Sequence, residues 1–420
     1  MQLVDYSLCL GIVSIKHNHY SLFLSCNGSN LLFVQIKVDF VMIKKVIFLL
    51  GALLLGFMGN VNAAYQLNLR APNSSIASQI YDLHMLIVYV CAAIMVVVFS
   101  VMFYSIYKHR KSVGHQASQF HEHHLLEIVW TIIPALILIG MAIPATKTIF
   151  AMKDTTAADM SIKVTGHQWK WEYDYLDKNV KFISNLSTTQ DQIDNKSEKS
   201  ENYLLEVDSP MVVPVGKKVR VLLTASDVIH SWSMPSFGVK QDAIPGFIKE
   251  TWFKADKIGT YRGQCSELCG KAHGYMPIVV EVVSEEKYNA WLVAKAEEAA
   301  AGAAGADKEW TKEDLVANGK KVYEKNCAVC HQASGAGLAP AFPALVGSKV
   351  VLGAVFGADG KYTTDSQMDR LLNGKGVMPA WKAMLNDVEI ASVITYTRHS
   401  WGNVPAADPV IQPSQVKASR

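Results

Sequence analysis

The stretch YRGQCSELCGKAHGYMP, residues 261–277, places two cysteines, a histidine and a methionine within twelve positions. Cys265 and Cys269 are separated by three residues, His273 follows after three more, and Met276 after two. Structural zinc accepts cysteine pairs two to four apart, so the pair alone would allow zinc, but zinc does not recruit a thioether. Thiolate, imidazole and methionine together select copper. A mononuclear blue-copper site takes one cysteine, two histidines and a weak methionine, which leaves one thiolate too many here. Two coppers bridged by both sulfurs would use the whole set, with one imidazole per metal. The second imidazole must come from another strand. His230 is the candidate, at a strand end in SDVIHSWSMPSFGVKQDAIPG, residues 226–246.

Around this loop the text is rich in β-branched and aromatic residues, punctuated by Gly and Pro. Residues 161–176 (SIKVTGHQWKWEYDYL), 203–226, 247–266 and 276–285 read as strands of an antiparallel sandwich. This domain is expected over 151–290. Before it come two apolar stretches free of Asp, Glu, Lys and Arg, Leu83 to Tyr107 and Ile128 to Thr146. At about 1.5 Å per residue the first crosses a hydrocarbon core of ~30 Å. A transmembrane hairpin is therefore expected over 65–150, with helices at about 80–107 and 126–147. Lys108, Arg110 and Lys111 between them mark the cytoplasmic side, so everything after residue 147 lies outside the inner membrane. His121, His123 and His124 in the same loop read as solvated. Further upstream, residues 42–64 have the layout of a secretory signal peptide, with Lys44 and Lys45 before an apolar run and small residues after it. Residues 1–41 show no pattern and read as a non-native extension.

Downstream, an Ala/Gly-rich linker over 291–308, expected to be part helical and part flexible, leads to a small α domain over 309–402 and a tail over 403–420. In the α domain Cys327-Ala-Val-Cys330-His331 has the c-type haem attachment pattern, in which two thiols add to the vinyl groups and the histidine meets the iron. Met378 in the Gly-rich GKGVMPAW is the candidate sixth ligand. Met384 and Met368 compete, but Met368 falls in a helical pattern and reads as core.

The net charge of +3, from 40 basic and 37 acidic residues, gives no field for nucleic acid, and no nucleic-acid motif is present. Seven cysteines, only four of them in close pairs, are too few for a disulfide scaffold.

Residues from about 65 to 290 resemble subunit II of the haem–copper cytochrome c oxidases, and 265–276 is similar to its binuclear copper (CuA) signature at every ligand position. The resemblance implies a multidomain membrane protein: a two-helix hairpin, an all-β cupredoxin-like Greek-key sandwich and an all-α class I cytochrome c domain. A fused cytochrome is a recognised bacterial arrangement. The resemblance also implies His230, Cys265, Cys269, His273 and Met276 as copper ligands, with the backbone carbonyl of Glu267, whose side chain in the family reaches magnesium at the contact with subunit I. Trp169, in GHQWKWEYDY, matches the tryptophan where electrons come in. Glu127 matches a carboxylate at the mouth of a proton path into subunit I; it also reads as an interfacial charge. One departure is Phe247, where mitochondrial relatives usually carry Arg, and this sets aside their docking surface for soluble cytochrome c.

The function expected is subunit II of a respiratory oxidase: electrons from cytochrome c or another periplasmic donor pass through haem c and CuA to subunit I, where oxygen is reduced and protons are translocated. Subunit III and membrane lipid are further expected partners. Two alternatives stay open: the CuA subunit of a nitric oxide reductase, and a membrane-anchored electron carrier or copper-delivery protein.

Overall fold

The computed structural model describes residues 10–16, 19–25, 34–36, 68–119 and 121–420. The chain divides into two units, Met1–Asn68 and Leu69–Arg420. In the first, β1 (Leu10–Lys16), β2 (His19–Ser25) and β3 (Val34–Ile36) form an antiparallel sheet where the sequence shows no pattern. The expected signal peptide over 42–64 lies outside the described residues.

The second unit begins with helices α1 (Ser75–Lys108) and α2 (His124–Lys153), both apolar and long enough to cross a membrane. Val96, Phe103, Leu136 and Ile143 are more than half exposed, as side chains facing lipid would be. Both helices outrun the ranges expected from hydrophobicity alone, because their outer ends rest on protein. Ser74 Oγ accepts from the Ala77 amide at 3.0 Å and donates to the Phe237 carbonyl at 2.8 Å. This caps α1 and ties its buried first turn to the sandwich. Trp252 Nε1 donates to the Ala151 carbonyl at 3.2 Å near the end of α2.

The sandwich has two five-stranded sheets. One has the order β10 (Val239–Ala243), β9 (His230–Met234), β12 (Gly259–Cys265), β13 (Pro277–Val283), β7 (Met211–Pro214). The other runs β11 (Lys249–Lys254), β8 (Lys218–Ala225), β4 (Met160–His167), β5 (Lys170–Tyr175), β6 (Val180–Ser184). Alternation sets the faces: along β8 every second residue, Val219, Val221, Leu223 and Ala225, is buried between the sheets. Most pairs are antiparallel as expected, but β4 runs parallel to β8 and β7 parallel to β13. Parallel neighbours require a crossover, and here the chain crosses to the other sheet before it returns.

The Ala/Gly segment departs from its expected flexibility. It forms α3 (Glu285–Gly305), whose N-cap Ser284 accepts from the Lys287 amide. Trp291 packs its ring 5.2 Å from Tyr175 and 6.0 Å from Phe182, which anchors the start of the helix on the sandwich. At its other end a side chain on Gly305 would lie 3.1 Å from Val388, and Trp310 Nε1 donates to the Gly305 carbonyl.

The cytochrome-like domain contains α4 (Lys312–Asn326), α5 (Ala328–His331), α6 (Gln367–Asn373), α7 (Asp387–His399) and α8 (Pro413–Ser419). Met368 is fully buried in α6, as its helical setting predicts. The segment expected to be a tail belongs to this core: Ile411 and Val416 are fully buried, and Gln412 makes hydrogen bonds to both the amide and the carbonyl of Trp310.

Candidate functional site

The donors of the copper loop converge. Strand β12 ends at Cys265, the chain turns through Glu267 and Cys269, and a 3-10 turn over His273–Tyr275 leads back to β13. The two Sγ atoms lie 3.8 Å apart, Cys269 Sγ lies 3.5 Å from both His273 Nδ1 and Met276 Sδ, and Cys265 Sγ is 3.4 Å from the Glu267 carbonyl oxygen. From the first residue of β9, His230 completes a buried group with the two cysteines whose ligand atoms all fall within 4.8 Å of one another. Gly166 makes room for that imidazole, since a Cβ there would sit 2.8 Å from the ring.

His230 carries the test of fit. Its Nε2 is hydrogen-bonded to Asp227 Oδ1 at 2.8 Å, while Nδ1 is buried with no hydrogen-bond partner. An orphaned imidazole nitrogen facing two sulfurs is costly unless something accepts its lone pair. Two thiolates, two imidazoles, a thioether and a carbonyl oxygen fit copper. The electrostatics agree. Cys269, donating to Cys265, holds Cys265 well below the ordinary thiol range, and that negative sulfur in turn pushes Cys269 up. Burial alone would lower His230, but Asp227 and then Cys265 raise it above the ordinary imidazole value.

The segment 166–171 braces the loop from behind. Gln168 Nε2 and Trp169 Nε1 both donate to the Cys269 carbonyl, at 2.8 and 3.0 Å, and Trp171 Nε1 donates to the Met276 carbonyl at 3.3 Å. Asp227 reaches the same segment through Oδ2, which accepts from the Gln168 amide at 2.7 Å. Asp227 is a functional residue that spacing did not reveal, although an acid three residues before a candidate ligand is a signal worth reading. Next to Trp169, His167 is buried with Nδ1 2.7 Å from Ser226 Oγ, and burial followed by the Lys170 charge lowers it to about 4.

In the haem segment, α4 runs directly into Cys327, and α5 carries Cys330 and His331. His331 Nδ1 lies 2.9 Å from the Pro343 carbonyl oxygen, which fixes Nδ1 as the donor and leaves Nε2 free for iron. Burial pushes the Cys327 thiol up to about 12. Met378 sits in a tight turn closed by reciprocal backbone hydrogen bonds with Lys375, at the edge of the same core. Met384 also borders that core.

Trp169 is 5% exposed, with the cytochrome domain against it. The Phe342 ring meets it edge-on at 6.2 Å, and Cys330 packs against the sandwich core. Trp171, Tyr173 and Tyr175, at alternate positions of β5, are interior. Glu127 lies in the first turn of α2, where Oε1 accepts from the His123 amide at 3.1 Å while His123 Nδ1 accepts from Leu126. It is a capping residue at the start of an apolar helix.

Fold and site together define a membrane-anchored cupredoxin with a two-cysteine metal loop, fused to a c-type cytochrome. Residues 160–283 match the family "Cytochrome C oxidase subunit II, periplasmic domain", 62–148 its transmembrane domain, and 314–396 "Cytochrome C oxidase, cbb3-type, subunit III". Cytochrome c oxidase subunit 2 of Cereibacter sphaeroides is 40% identical over 232 residues, which is 52% of this chain and 77% of that one. A Rickettsia bellii (strain RML369-C) protein named "Probable cytochrome c oxidase subunit 2" is 37% identical over 262 residues, 62% of this chain and 96% of the relative. The crystal structure of the periplasmic domain of subunit II (CoxB) of Bradyrhizobium japonicum is 47% identical, covers 34% of this chain and 96% of that one, and gives a TM-score of 0.30. The chain belongs to the cytochrome c oxidase subunit II family and carries a fused cytochrome c domain. It is a component of an oxidoreductase complex of the inner membrane, with its copper and haem domains on the periplasmic side. Its subunit II domain implies a CuA copper centre, and its cytochrome domain implies haem c.

Proposed function

We propose that the chain accepts electrons from a periplasmic donor at its cytochrome domain and delivers them from its copper domain to subunit I of a respiratory oxidase, where oxygen is reduced with proton translocation. When bound, haem c and the copper pair supply reversible one-electron chemistry. Cys327 and Cys330 would hold the haem covalently, with His331 and Met378 offered to its iron. His230, Cys265, Cys269, His273, Met276 and the Glu267 carbonyl would hold the copper. Trp169 lies between the two segments, donating to the Cys269 carbonyl while it touches Phe342. The exposed Glu267 side chain would meet magnesium at the contact with subunit I, and subunit III completes the assembly.

The observation that carries this reading is the unpartnered His230 Nδ1, turned toward two sulfurs 3.8 Å apart. Metal analysis with visible, near-infrared and paramagnetic-resonance spectra on the full chain, matured with haem and copper, tests it. Two coppers sharing one delocalised electron, plus one c-type haem, are expected. A single exchangeable copper, or zinc, would overturn the assignment in favour of a carrier or copper-delivery protein.

Glu127 is assigned to the mouth of the proton path. In the assembled oxidase, Glu127→Gln should slow proton uptake and leave copper and haem content intact. Normal turnover would reduce Glu127 to its capping role.

A further inference from the structure

We propose that Lys170 is a positioning residue whose buried ammonium sets the register in which the cytochrome domain sits on the copper domain, across Trp169. The proposal rests on the cofactor assignments above.

Lys170 opens β5 between Trp169 and Trp171, on the face that alternation assigns to solvent, yet it is 2% exposed. Its Nζ lies 4.0 Å from the centroid of the Trp381 ring and 3.4 Å from the Asn326 carbonyl oxygen. Both partners belong to the cytochrome domain. Asn326 immediately precedes Cys327, and Trp381 lies three residues beyond Met378. One cation from the copper domain therefore touches both segments that would hold the haem, one by a carbonyl and the other by a ring face.

The remaining contacts across this surface do not set a register. Phe342 against Trp169 and Ile183 within the cytochrome core are apolar, and burial of apolar area tolerates sliding. The Lys325–Asp208 ion pair, 3.1 Å long, has a half-exposed lysine, and such pairs contribute little. Lys170 differs because its two close partners sit on the opposite domain. A shift of a few ångströms would leave a desolvated ammonium without ring or carbonyl, a penalty that disfavours every other docking.

The test uses the full chain with and without three substitutions, Lys170→Met, Lys170→Arg and Asp208→Asn. Copper and haem content, amide exchange, and flash-initiated electron transfer between the domains are measured. In Lys170→Met both cofactors should be retained, exchange in 166–175 and 321–331 should rise roughly tenfold or more, and transfer should become slower and heterogeneous. Lys170→Arg should restore protection and a single transfer phase, and Asp208→Asn should match the unsubstituted chain. Unaltered exchange and transfer in Lys170→Met would overturn the proposal, as would equal loosening in Asp208→Asn. Should the unsubstituted chain bind neither cofactor, the functional reading falls, and the exchange comparison still decides for or against the register role.

Discussion

Asp227 takes the far nitrogen of His230, so the near one is held toward the sulfurs in a single tautomer and orientation. Removing such a partner typically costs roughly 10–100-fold in metal affinity. Asp227→Ala should weaken copper binding on that scale in competition with a chelator, while the cytochrome domain keeps its haem. His167 gives a different prediction. Its folded value of about 4 lies below the ordinary 6.5, so between these the unfolded chain binds the extra proton and stability falls as pH falls. Going from pH 7 to pH 5 should cost about 2 kcal/mol through this residue. Chemical denaturation of His167→Gln at the two pH values should show a correspondingly smaller loss. The candidate donors were legible in the sequence because thiolate chemistry needs local spacing: Cys265, Cys269, His273 and Met276 share one loop, and Cys327, Cys330 and His331 one turn. Asp227 and Lys170 were not. Asp227 shows its part only once the fold turns it onto His230 and the Gln168 amide, and Lys170 only through burial under the cytochrome domain; alone they read as a loop acid and a solvent-facing strand lysine.

Among the elements, the crossing of α4 and α7 depends on Gly319. A Cβ there would lie 2.0 Å from the Ser392 carbonyl oxygen and 2.6 Å from the Tyr396 Cβ. Gly319→Ala gains ~1 kcal/mol of helix propensity. Overpacking should outweigh that and lower the stability of the cytochrome domain by a net ~1–3 kcal/mol. Thermal unfolding followed by helical circular dichroism should reveal the loss, with copper content unchanged. The elements themselves were mostly legible, since β8 alternates and α1 is apolar throughout. Where the reading missed, composition hid a tertiary cause. The Ala/Gly content of 291–308 reads as slack chain, but small residues also let a helix lie close against Val388 and Asn386, as Gly305 and Gly302 do. The tail past residue 402 has little periodicity, yet Ile411 and Val416 find places in a core that α6 and α7 have already shaped.

At the scale of the whole molecule, the cytochrome and copper domains meet mainly through apolar and cation–ring contacts, with complementary surface charge confined to the half-exposed Lys325–Asp208 pair. Exposed charges are screened beyond about 8 Å at physiological salt. Transfer between the two domains should therefore be nearly insensitive to added salt in flash experiments. Reaction with an external charged donor should slow as ionic strength rises. Equal slowing of both steps would mean that the domains associate by surface charge.

Helix α3 decides what kind of machine this is. A slack run of 21 residues would let the cytochrome roam and sample neighbours, whereas 21 helical residues form a rod of about 30 Å, seated by Trp291 at one end and closed against Val388 at the other. Such a rod holds the cytochrome as a terminal rather than a courier, so that a supplier would come to it and what it receives would leave across the short contact with the copper domain.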